Sequence, residues 1–206
     1  MLSIFRRKEK ITSPEQEFWN WFLSNKKKIE KFIDSEHTDY SIYELLTKKM
    51  RLYHHEIVPE LTKTKDDNYV LIITPDGIKA GIEPTKTLAA AKPDIENWIV
   101  EKFRQPCDEI TLDLNGLTYP SEDIEVVPQI DNEKDLMNID VFIRNMNNDP
   151  NKYQNLAFLY LDHILGEFNT LTKVGYIEFH HIDQNKSIKD SITILQLREL
   201  IVKELY

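Results

Sequence analysis

One cysteine, Cys107, serves a chain of 206 residues, which excludes an internal disulfide framework and any zinc site built from clustered cysteines. Glycine is almost as scarce, with five residues at positions 77, 81, 116, 166 and 175. Neither G-x-G-x-x-G nor a P-loop can be written with them, so the nucleotide binders recognised by a glycine loop drop out. No G-x-S-x-G elbow and no H-E-x-x-H helix occurs, which removes the hydrolases and zincins that carry those motifs. No run approaches the ~20 apolar residues that span a bilayer. The opening Met1-Leu2-Ser3-Ile4-Phe5-Arg6-Arg7-Lys8 places its charges after a short apolar start, the reverse of a secretory signal, and the expected location is the cytoplasm. No cofactor and no metal site is expected from these motifs.

What is present is ordinary for a folded protein: 41% hydrophobic and 10% aromatic residues, too rich for a disordered chain. Charge is uneven. Through Lys65 the chain carries a net +3, and from Asp66 onward a net −12, for −9 in all. Between Asp108 and Asp140 ten acidic residues face Lys134 alone. Such a stretch repels nucleic acid and attracts a basic partner; it also fits a solvated sheet edge kept soluble by its charges. The basic runs Arg6-Arg7-Lys8-Glu9-Lys10 and Lys26-Lys27-Lys28 are too short to outweigh that balance, so neither nucleic acid nor membrane is expected as a partner.

Ser13-Pro14-x-Gln16 reads as a capping box opening a helix. At 100° per residue, Phe18, Trp21, Phe22, Ile29, Phe32 and Ile33 share its apolar face, with Trp19 and Leu23 on the flank. Trp19 is either core or a partner surface. A second helix fits Ser41 to Tyr53. The period then drops to two: His55 to Leu61 and Tyr69 to Thr74 read as strands, ended by Pro75-Asp76-Gly77. A helix follows over Thr85 to Ala91, then a strand over Trp98 to Phe103.

The same order returns downstream. Glu125-Val126-Val127-Pro128-Gln129-Ile130 echoes Glu56-Ile57-Val58-Pro59-Glu60-Leu61 at an offset of 69 residues. Ile139 to Ile143 matches the second strand, a helix opened by Asp149-Pro150 runs to about Gly166, and Tyr176 to His180 supplies the third strand. Glu109 to Leu114, with the Asn115-Gly116 turn, links the copies, and a helix over Leu195 to Leu205 closes the chain. The fold class is α+β: two pseudo-repeated strand-strand-helix-strand units forming antiparallel or mixed sheet, as one sheet or two, with an N-terminal helical cap and a C-terminal helix. By position, 1–53 is the helical segment, 54–107 the first unit and 108–206 the remainder, all in one compact domain. A proline in the first strand of each copy marks those strands as edges or bulged.

Candidate chemistry is dispersed. His54 and Glu56 would converge on one side of a strand, with His55 opposite. Glu178 and His180, two apart, share a strand face with Tyr176 and suit acid–base work or metal ligation, or else a cross-strand ion pair. Asp162, on a helix apolar almost all round, reads as a partly buried carboxylate bonded to the backbone of a loop over Asn169 to Lys173. His163 and Glu167 read as surface groups. Acidic neighbours raise the thiol pKa of Cys107 and argue against a nucleophile.

Four segments carry a family likeness: Glu17-Phe18-Trp19-Asn20-Trp21-Phe22, Ile73-Thr74-Pro75-Asp76-Gly77-Ile78, Ala90-Ala91-Lys92-Pro93-Asp94-Ile95-Glu96-Asn97-Trp98 and Leu161-Asp162-His163-Ile164-Leu165-Gly166-Glu167. Together they resemble an uncharacterised family of bacterial cytosolic α+β proteins with no assigned activity, over roughly Phe18 to Phe179. The resemblance implies that the first helix, the Asp76-Gly77 turn and the Asp162 helix are family features, and it transfers no catalytic residue.

The expectation is a non-enzymatic interaction protein, of inhibitor or immunity type, contacting a basic protein through Asp123, Glu125, Asp131 and Glu133. The alternative is an enzyme or small-ligand binder in a cleft between the repeats, using Asp162, Glu178, His180 and His54.

Overall fold

The computed structural model describes residues 12–35, 38–108, 112–114, 117–119, 123–144, 150–183 and 186–206. Among the described residues, six helices and two three-stranded mixed sheets make an α+β fold. The chain divides into two compact units, residues 1–76 with 83–101, and residues 77–82 with 102–206.

The N-terminal unit begins with α1 (Pro14–Asp34). Its capping box forms as expected: the Ser13 side chain accepts from the Gln16 amide, and the Gln16 side chain accepts from the Ser13 amide. The apolar face differs at one position from the expected one. Trp19 is buried and Trp21 only partly so, because a polar partner is within reach of Trp19: its indole Nε1 donates to the Leu88 carbonyl at 2.9 Å. A buried indole needs such a partner, and the reading of Trp19 as a partner surface falls. Leu23 is exposed, 42% of its surface facing solvent. Phe22 sits edge-on to Trp19 and to Trp98, with ring centroids 5.5 and 5.0 Å apart. After α2 (Ser41–Tyr53) come β1 (Val58–Lys63), β2 (Tyr69–Thr74), α3 (Ile82–Ala90) and β3 (Trp98–Lys102), the strands lying in the order β1-β2-β3; the 3₁₀ turn over Lys79–Gly81, between β2 and α3 in sequence, is assigned to the other unit. The first strand starts later than expected. His54 is instead the C-cap of α2, and residues 55 and 56 form a turn.

The C-terminal unit contains a short hairpin of β4 (Leu112–Leu114) and β5 (Leu117–Tyr119), so the single linking strand expected there is two; Asn115 and Gly116 lie outside the described residues. The second sheet is β6 (Ile124–Asp131), β7 (Leu136–Arg144) and β8 (Val174–Ile182), in that order, β7 antiparallel to β6 and parallel to β8. The parallel crossover is made by α4 (Pro150–Leu165) and α5 (Glu167–Lys173), and α6 (Ile194–Leu205) ends the chain. Asp149, the expected cap of α4, lies outside the described residues. Each unit thus carries the strand-strand-helix-strand order in its own sheet, and both proline-bearing strands, β1 with Pro59 and β6 with Pro128, lie at an edge. Proline has no N–H to give to a second neighbour, which suits an outer strand.

Along β7 burial alternates without a break: Met137, Ile139, Val141 and Ile143 point into the core. They meet Tyr153, Leu156, Tyr160, Leu161 and Ile164 of α4 and Ile194, Leu197 and Ile201 of α6, recurring at the three- and four-residue steps of a helix face. Helices therefore cover one side of this sheet. Asn138, Asp140, Phe142 and Arg144 point to the other.

Candidate functional site: the outward face of the C-terminal sheet

Parallel pairing sets Asp140 opposite Glu178 and Phe142 opposite His180. Which face β8 shows is decided by an irregularity at its start, where the register slips between Met137 and Ile139. The Asn138 carboxamide oxygen accepts from the Tyr176 amide at 2.8 Å and holds that bulge. A Cβ on Gly175 would run into the same oxygen, so a larger residue there would have to displace the Asn138 carboxamide from the bulge. The extra residue lets Val174 and Ile177 both turn inward while Tyr176, Glu178 and His180 turn outward.

The outward side chains then gather. His180 Nε2 lies 3.1 Å from Asp140 Oδ1, and Gln129 Nε2 donates to Asp140 Oδ2 at 3.2 Å. The Phe142 ring stacks on the imidazole with centroids 4.7 Å apart and planes at 22°. One ligating atom from each of Asp140, Glu178 and His180 lies within 4.8 Å of the others. Glu178 and His180 thus share a face, as their spacing predicts, and Asp140 joins them. Period-two alternation places each residue on a side, but it does not say which strand becomes the parallel neighbour.

Asp162 belongs to a different network. Its Oδ2 lies 3.2 Å from Arg104 Nη1, and the segment expected to be a loop bonded to it is the helix α5. Glu167, expected at the surface, has no exposed area. It accepts from the amides of Gly77 at 3.3 Å and Arg104 at 3.1 Å, and its Oε1 is 3.5 Å from Arg104 Nη1. Gly166, with φ of +81°, separates α4 from α5, and a Cβ there would press on Pro106 Cδ at 3.0 Å. The sharp corner turns Glu167 inward to its partners. His54 is in the N-terminal unit, stacked on His55 at 5.0 Å, with Nδ1 accepting from the Glu56 amide at 3.4 Å. A groove of about 460 Å³ runs along α2, lined by Tyr43, Glu44, Thr47, Lys48, Arg51 and Leu52; none of the four candidate polar residues lines it. Burial, ahead of the Asp108 charge, pushes the Cys107 thiol up, which keeps it a poor nucleophile.

Asp123, Glu125, Asp131 and Glu133 are strung along the β6 edge. From Asp123 to Asp131 the distance is about 26 Å at ~3.3 Å per residue, so they form a line and not one compact patch. Glu125 is paired with Arg144, which also donates to the Lys186 carbonyl at 3.0 Å, and accepts from the Ser191 hydroxyl. Asp131 caps the hairpin turn through the Glu133 and Lys134 amides, each at 3.2 Å, and meets Lys134 Nζ at 3.2 Å. Burial raises the Glu125 carboxyl, but the Ser191 hydroxyl and the Arg144 guanidinium outweigh it and hold the group below its ordinary value.

A carboxyl depressed in the folded state stabilises above its unfolded pKa, about 4.3, and that contribution disappears as pH falls through the folded value. Urea unfolding of the wild type is therefore expected to weaken more steeply between pH 5 and pH 3 than that of Glu125→Gln. Equal slopes would remove Glu125 as a contributor.

No helix among the described residues is long and apolar enough to cross a membrane. Searches of protein families, curated proteins and solved structures find no significant match to the chain, so no residue role can be carried in from a relative.

Proposed function

We propose that this is a non-enzymatic interaction protein, of inhibitor or immunity type, that offers the β6 edge and the outward face of the C-terminal sheet to a basic protein. The observation that supports this is the imbalance of that sheet. Its strands and hairpin carry six carboxylates, Glu125, Asp131, Glu133, Asp135, Asp140 and Glu178, against Lys134 and Arg144. They lie on a sheet whose other side is filled by α4 and α6. A net negative charge on an open, rigid support steers a cationic partner and makes the association salt-dependent.

The ion pairs decide how to test this. Neutralising Glu125 would remove the carboxylate paired with Arg144, so the informative variant is Asp123→Asn/Asp131→Asn/Glu133→Gln, in which the carboxamide introduced at position 131 can still accept the turn amides. Capture from native lysate, read by mass spectrometry, is expected to retain a basic protein at about 50 mM salt and to lose it near 500 mM, beyond the screening range of such contacts. The triple variant should lose it at both, with an unchanged circular dichroism melt. Equal retention by wild type and variant, or no basic protein at either salt, would overturn the reading.

A further inference from the structure

We propose that Asp140, Glu178 and His180 bind a divalent transition-metal ion of the Zn²⁺ class on the outward face of β7 and β8. The site uses Asp140 and Glu178 of the surface described above, but its argument rests on their geometry and not on the identity of a partner. One imidazole nitrogen and two carboxylate oxygens form a donor set that borderline ions accept and that alkali cations do not need.

The geometry is close to what such an ion requires. Bonds of about 2.0–2.2 Å in a tetrahedron place ligand atoms roughly 3.3–3.6 Å apart. His180 Nε2 and Asp140 Oδ1 are 3.1 Å apart, so an ion that replaces their mutual hydrogen bond need widen that separation by only a few tenths of an ångström. Glu178, an exposed side chain opposite Asp140 on β8, has a carboxylate oxygen within 4.8 Å of the other two ligand atoms, a gap that a change of its side-chain torsions can close. Three protein ligands leave at least one position for water.

Two contacts hold the donor groups in place. The second oxygen of Asp140 is held by the Gln129 carboxamide, and the imidazole plane is held by Phe142. Contacts of this kind fix the direction of the donor atoms, and removing a hydrogen bond such as that of Gln129 to a ligating carboxylate typically lowers metal affinity roughly 10- to 100-fold. All three ligands stand on strands of one sheet, so their spacing does not depend on a loop. Two carboxylates side by side with one imidazole also leave negative charge in excess, which a divalent cation neutralises.

The test uses untagged full-length protein and the metal alone. Calorimetric titration with ZnCl₂ at pH 7.5, and Co²⁺ substitution followed by its visible d–d absorption, are expected to show one site per chain. His180→Ala and Glu178→Gln should each weaken Zn²⁺ at least tenfold, and Gln129→Leu by roughly tenfold. His54→Ala/His55→Ala, which removes the other histidine pair, should leave binding unchanged. The ligands are partly exposed, so circular dichroism of each variant should match the wild type. Absence of binding up to 1 mM Zn²⁺, or undiminished affinity in His180→Ala, would overturn the site. The β6 triple variant separates the two proposals: it should bind Zn²⁺ normally while failing to capture a basic protein.

Discussion

Replacing Arg104 by methionine is expected to cost about 3–5 kcal/mol of unfolding free energy in the C-terminal unit. Arg104 is 9% exposed and Glu167 is fully buried, and Arg104 is in turn placed between Glu167 and Asp162. Methionine matches much of the volume, so the loss isolates charge from packing. It leaves a carboxylate in a site that water does not reach, the situation in which one missing partner costs more than the intact pair ever contributed. The amides of Gly77 and Arg104 still bond Glu167, but dipoles do not cancel a full charge in a low-dielectric interior. Adding Glu167→Gln to Arg104→Met should recover part of the loss, because the uncompensated charge is then gone, and such non-additivity is what coupled neighbours show. Urea unfolding followed by circular dichroism provides the measurement. A loss under about 1 kcal/mol would mean that the network is solvated and contributes no more than a surface pair.

Phe22→Ala is expected to cost a comparable amount, about 3–5 kcal/mol, in the N-terminal unit. The ring is fully buried and lies edge-on to two tryptophans, so truncation removes its own burial and the edge-to-face contacts together. It also opens a void between rings too rigid to collapse into it. The readout is specific: the chain's three tryptophans, at 19, 21 and 98, all belong to the N-terminal unit. Tryptophan fluorescence should therefore report an earlier urea midpoint for Phe22→Ala. An unchanged midpoint would rule out the packing described for α1.

Much of the fold is legible in the sequence because its signals are local. Ser13 and Gln16 announce the start of α1, and alternation announces β7. The two prolines at an offset of 69 residues point to two similar units with edge strands, and the structure has both. The features that escape a sequence reading are long-range or weakly patterned. Seven residues from Glu167 to Lys173, two of them threonine, have little helical pattern, so α5 reads as loop. The burial of Glu167 depends on Arg104, 63 positions earlier in the chain, and on the corner at Gly166; neither is visible in a helix-face count. Angle alone sets Trp19 on the flank of α1, whereas the Leu88 carbonyl makes its burial possible. Asp140 does not stand out beside Glu178 and His180 in the sequence, because only the parallel register, shifted at Gly175, places the three together.

Whether the outward side of the C-terminal sheet is the binding surface is tested most directly by amide chemical-shift mapping. ¹⁵N-labelled protein would be titrated at low salt with a cationic probe, a polylysine of about 20 residues, and the titration repeated at high salt. Shifts are expected to concentrate at Glu125, Asp131, Glu133, Asp140, Glu178 and their strand neighbours, and to disappear as salt screens the charges. Shifts spread evenly over both units, or centred on the groove along α2, would place the binding surface elsewhere and overturn the assignment.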